Sequence, residues 1–117
     1  LLQSASSFDT AGEKFYHGFM LGLCAMLSGA YTTSNRESGE GRYDIQMMPK
    51  RANLPGILIE LKAEKGCTEE KLKLLSETAL QQINDRQYDT EMLSKGVSTI
   101  YKYGVAFSGK SVSVTVG

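Results

Sequence analysis

At 117 residues the chain has the length of one domain, residues 1–117, and can bury a core without disulfide or metal staples. Its 13 basic and 13 acidic residues cancel, which excludes net charge as the attraction for nucleic acid and leaves that task to a local basic surface. The two cysteines, Cys24 and Cys67, match no zinc or Cys-x-x-Cys spacing and read as reduced thiols of a cytoplasmic protein, with a disulfide as the competing alternative.

Residues 1–8 are expected to form a flexible lead-in, and Leu1 in first place suggests a piece of a longer chain. A first helix is predicted from about Thr10 to Leu27, capped by Asp9 or Thr10 and stopped by Ser28-Gly29. Phe15, Phe19, Leu21, Leu23, Met26 and Leu27 make it apolar on nearly every side, as in a helix covered on more than one face. Its run "GFMLGLCAMLSGAY" is too short for a bilayer, so no membrane partner is expected.

Tyr31–Arg36 and Arg42–Met48 then read as two strands of a hairpin joined by the turn "ESGEG", and a third strand runs from Ile57 to Ala63. Three successive strands with short connections predict an antiparallel meander. From Thr68 an amphipathic helix begins: Glu69 and Glu70 occupy its first turn, and Leu72, Leu75, Ala79, Leu80 and Ile83 recur at helical spacing. A short helix over Thr90–Lys95 and a hairpin from Ser98 through Val116 complete an order α-β-β-β-α-β-β. That order defines an α/β or α+β fold with helices packed on a mixed sheet.

Charges interrupt the third strand, "PGILIELKAEK". Alternation puts Ile57, Ile59 and Leu61 on one face and Leu58, Glu60 and Lys62 on the other. On the preceding strand it groups Arg42, Asp44 and Gln46, so neighbouring strands would set Asp44 beside Glu60. Two adjacent carboxylates repel unless a cation lies between them. Lys62 is one candidate; Mg²⁺ is another, because it takes oxygen ligands and leaves places for water and phosphate. A metal there would acidify water that Lys62 could orient while countering phosphate charge.

Asp44, fifteen residues, then Glu60-x-Lys62, with Glu13 on a preceding helix, resembles the PD-(D/E)xK nuclease superfamily. The segments "EKFYHGFMLGL", "SNRESGEGRYDI", "PGILIELK", "ALQQI" and "YGVAFSGK" resemble one branch in particular, the nuclease-like domain found C-terminal to an AAA-ATPase-like domain in bacterial proteins. The superfamily proline is absent, since Tyr43 precedes Asp44. The resemblance implies a restriction-endonuclease-like αβββαβ core with an added C-terminal strand, Mg²⁺ or substituting Mn²⁺ as cofactor, and nucleic acid, above all DNA, as partner. It further implies metal ligation by Asp44, Glu60 and the Leu61 carbonyl, with Glu13 helping through water, catalysis by Lys62, and a supporting Gln82.

Each assignment has a competitor. Glu60 and Lys62 could form a salt bridge at a sheet edge, Asp44 could be an ordinary hairpin residue, and Thr10 with Glu13 forms a capping box. His17, one turn after Glu13, suits a core or rim position as well as a site. Gln81 competes with Gln82, and the tyrosine expected four residues after Gln82 is replaced by Arg86. Arg36, Glu37 and Arg42 could touch phosphate or pair among themselves. Two function classes stay open: a nuclease, and a catalytically silent module binding nucleic acid or a partner protein. A substrate other than DNA is a third reading, since sites are grafted onto folds. The terminal "SVSVTV" strand could pair edge to edge into a homo-oligomer.

Overall fold

Strand β3 (Gly56–Ala63) is apolar on both sides for most of its length, and it accordingly takes the middle of a five-stranded sheet. The computed structural model describes residues 29–39, 41–51 and 53–117, together with Gly18 and Gly22, both helical. The remainder of the predicted first helix, with Glu13, His17 and Cys24, lies outside the described residues, as does the lead-in.

The sheet runs β1 (Tyr31–Gly39), β2 (Arg42–Pro49), β3, β4 (Ile100–Ser108), β5 (Ser111–Val116) in spatial as in chain order. The predicted meander is present, β1, β2 and β3 pairing antiparallel. Between β3 and β4 the chain passes through helices α1 (Glu69–Arg86) and α2 (Asp89–Ser94), and those two strands pair in parallel, as a crossover of that length permits. The fold is a mixed sheet with helices, of the α+β class.

One side of the sheet carries Tyr31, Ile45, Met47, Ile59, Leu61, Val105 and Phe107, all buried. The other receives α1. Thr68 Oγ1 accepts the Lys71 amide at 3.1 Å, and Gln87 closes the helix in the left-handed region at φ 54°. Leu72, Ser76, Ala79 and Ile83 form its buried stripe. Leu75 and Leu80, expected there too, are only half-buried, and Ser76 takes the central place instead. The Ser76 hydroxyl, buried but bonded to the Lys73 carbonyl and to Thr115 Oγ1, escapes the cost of an unpaired polar group.

Two glycines mark where backbones meet. A Cβ at Gly104 on β4 would collide with the Ser76 carbonyl and the Leu80 amide of α1, so only glycine lets the helix lie this close to the sheet. Gly41, at φ +69°, closes the β1–β2 turn, and its carbonyl accepts from the Ala63 amide at 2.7 Å, anchoring the turn to the end of β3. On the helix side of the sheet Leu58 packs with Ile83, Met92 and Val97. Beyond Leu58 come Glu60 and Lys62.

Candidate active site

The β2–β3 register puts Asp44 directly opposite Glu60 and Arg42 opposite Lys62, while Arg36 on β1 faces Asp44. Cross-strand partners share a face, so all five side chains belong to the side of the sheet that carries α1. The strand periodicity thus brings together the pair read from the sequence. Asp44, Glu60 and Lys62 are all buried, which the sheet-edge salt bridge does not explain, because β3 is central.

Neither carboxyl is satisfied. Asp44 Oδ1 and both oxygens of Glu60 are buried with no hydrogen-bond partner among the described residues. Asp44 Oδ2 accepts from the Tyr88 hydroxyl at 3.0 Å. Burial pushes Glu60 up to about 8, and the Asp44 carboxylate opposite it pushes the same way, against the pull of Arg86 and Lys62. Lys62 is lowered, first by burial and next by the Arg42 charge across the strand. An acid held toward neutrality beside an amine pushed toward neutrality marks this group as a candidate site.

Arg86 and Tyr88 also belong here, and sequence reasoning did not place them. Arg86 Nη1 stands 3.8 Å from Asp44 Oδ1 and 3.9 Å from Glu60 Oε1, and donates to the Tyr88 hydroxyl at 2.9 Å. The helical spacing from Gln82 to Arg86 could have signalled the arginine. Tyr88 had no periodic signal, because it arrives only after the left-handed Gln87 reverses the chain.

Of the two glutamines, Gln81 is exposed and donates to Asp85 Oδ1 at 2.9 Å, whereas Gln82 is half-buried with its Oε1 unpartnered among the described residues. The Leu61 side chain points into the apolar cluster on the opposite face. Cys67, just before the Thr68 cap of α1, is a free thiol whose Sγ donates to the Glu64 carbonyl at 3.6 Å.

The donor set suits a hard divalent ion: two hard carboxylates with orphaned oxygens, where burial without a cation is costly. Among the described residues no cluster of three or more His, Cys, Asp or Glu exists, so any further protein oxygen must come from a backbone carbonyl or from outside them.

A mixed α+β sheet with an Asp on one strand, Glu-x-Lys on the next and a helix across them defines the class of restriction-endonuclease-like folds. The family model of the PD-(D/E)XK nuclease superfamily matches residues 11–116, and the chain belongs to that superfamily. No curated protein matches it. Membership implies a nucleic-acid partner, and nucleases of the superfamily generally use divalent metals. No described helix is long and apolar enough to cross a membrane.

Proposed function

We propose that this domain hydrolyses phosphodiester bonds of nucleic acid, with DNA as the expected substrate and Mg²⁺, or Mn²⁺ in its place, as cofactor. The observation that carries the reading is the cross-strand Asp44–Glu60 pair, buried, with three oxygens orphaned among the described residues, beside a lysine of lowered pKa. Asp44, Glu60 and the Leu61 carbonyl would hold the metal, with Glu13 assisting through water. The bound ion would supply Lewis acidity toward the phosphoryl group and make a nucleophile available near neutral pH.

Lys62 orients the attacking water and takes its proton, a task that its partial desolvation favours. Gln82, one helical turn before Arg86, positions from above. Arg36, Arg42 and Arg86 frame the carboxylates with the local positive charge that the neutral chain lacks overall, and a phosphate backbone is what such a frame accepts. The resemblance of the five segments further supports an AAA-ATPase-like domain N-terminal to this one, and a cytoplasmic setting. The exposed valines of edge strand β5 are where a second copy would pair.

The silent module is favoured by one observation: Arg86 already stands against both carboxylates. Incubation with mixed DNA and RNA in Mg²⁺ or Mn²⁺ separates the two. Cleavage should occur, and Lys62→Ala should slow it by about 10²–10⁴-fold. If nothing is cleaved, or the variant cleaves equally well, the catalytic reading fails for this domain, and absent cleavage leaves the silent module standing.

A further inference from the structure

We propose that Arg86 is a displaceable counter-ion: it closes the Asp44–Glu60 pair to metal until a nucleic-acid phosphate draws its guanidinium away, so that metal and substrate bind cooperatively. This rests on the metal-site reading given above.

The geometry carries the inference in three parts. First, Nη1 is almost equidistant from Asp44 Oδ1 and Glu60 Oε1, the oxygens a metal would need, at 3.8 and 3.9 Å. Those distances give charge attraction but no hydrogen bond, and among the described residues the oxygens remain orphaned. Arg86 therefore neutralises the pair without saturating it. A divalent ion held by the same oxygens would meet a like charge beside them.

Second, the guanidinium is free to leave. Arg86 is the last residue of α1 and its side chain is 34% exposed, against 8% for Asp44 and 0% for Glu60. It belongs to neither apolar cluster of the described residues, so swinging outward leaves both of them intact. Its restraint is Tyr88, whose hydroxyl accepts from Nη1 and donates to Asp44 Oδ2, with the guanidinium carbon 5.9 Å from the ring centre. Tyr88 is thus a positioning residue that holds the arginine over the carboxylates.

Third, a phosphate offers the departing group a better partner. A planar guanidinium binds two phosphate oxygens at once, whereas it reaches neither carboxylate within hydrogen-bond range here. Once Arg86 turns to phosphate, the Asp44–Glu60 pair loses a nearby positive charge, and metal binding becomes more favourable in the same event. Substrate and metal then raise each other's affinity by one common factor.

Calorimetric titration of Mn²⁺ into the protein, alone and with a hydrolysis-resistant phosphorothioate DNA duplex, tests this without measuring cleavage. Without DNA, Arg86→Gln should bind Mn²⁺ about tenfold more tightly than the native chain, and Arg86→Lys, which keeps the charge, should stay close to native. The duplex should tighten Mn²⁺ binding to the native chain by a similar factor and change Arg86→Gln little. Tyr88→Phe, which frees the arginine without altering the helix, should fall between them. Asp44→Asn should abolish the binding. If Asp44-dependent binding is present but Arg86→Gln and Tyr88→Phe are no tighter, or if DNA tightens all variants equally, the counter-ion role is overturned while the metal site survives. If no chain shows Asp44-dependent binding, the metal site itself fails, and the counter-ion role with it.

Discussion

Two clusters share the helix side of the sheet, one residue pair apart on β3, and they are built on opposite terms. Around Leu58 the chain packs Ile83, Met92 and Val97 into an apolar contact, and none of the unpaired buried side-chain polar atoms among the described residues belongs to it. Around Glu60 it buries Asp44, Lys62 and the edge of Arg86, and leaves carboxylate oxygens without hydrogen bonds. The same helix serves both, Ile83 reaching the first and Arg86 the second, less than one turn later. The difference shows where stability is made and where it is given up: the apolar half clamps α1 to the sheet, and the charged half is held in an unfavourable state by that clamp.

The sharpest way to break the comparison is to remove the clamp. Ile83→Ala should destabilise the fold by about 2–5 kcal/mol, read as a lower urea midpoint with an unchanged slope. A loss below about 1 kcal/mol would mean that this cluster does not hold the helix.

The charged half should declare itself through pH. Glu60, raised from its ordinary 4.5 to about 8, keeps a proton in the folded chain that the unfolded chain has already lost. The folded state binds more protons across that window, so this contribution is complete below about pH 4.5 and disappears as the pH rises through about 8. Stability should therefore decline by up to about 1.4 kcal/mol per pH unit on account of this one group. Urea titrations at pH 5, 6.5 and 8 should show a shallower decline in Glu60→Gln; parallel curves for the two proteins would contradict the burial of a protonated acid. The smallest effect lies at the far end of α1, where Thr68→Ala removes the cap on the Lys71 amide and should cost about 1 kcal/mol, with no change in the pH dependence.

How far the sequence carried depends on which physical rule each residue obeys. Alternation along "RYDIQMM" and "PGILIELK" was sufficient to group Asp44 with Glu60 and Lys62, because the two-residue period of a strand is strict and the hairpin brings β2 and β3 together locally. The Thr68 cap and the stripe through Ile83 were equally legible, although Leu75 and Leu80 were read as core and proved half-buried. The α2 helix begins one residue earlier than the expected Thr90, a difference within the fraying of any helix end. Glu13 and His17, read from the first helix, fall outside the described residues.

Arg86 and Tyr88 show the opposite case. Arg86 stood out in the sequence only as a missing tyrosine, and Tyr88 not at all, because their meaning depends on where a helix ends over a sheet and on one left-handed residue between them. The parallel pairing of β3 with β4 depends likewise on an intervening crossover. By itself, then, the sequence determined the elements from β1 onward, the faces of β2 and β3, and the acid–lysine group, all consequences of local periodicity. Only the tertiary structure decided that an arginine would stand against that group and a tyrosine would brace it, because those contacts join residues more than twenty positions apart, beyond the reach of any local pattern.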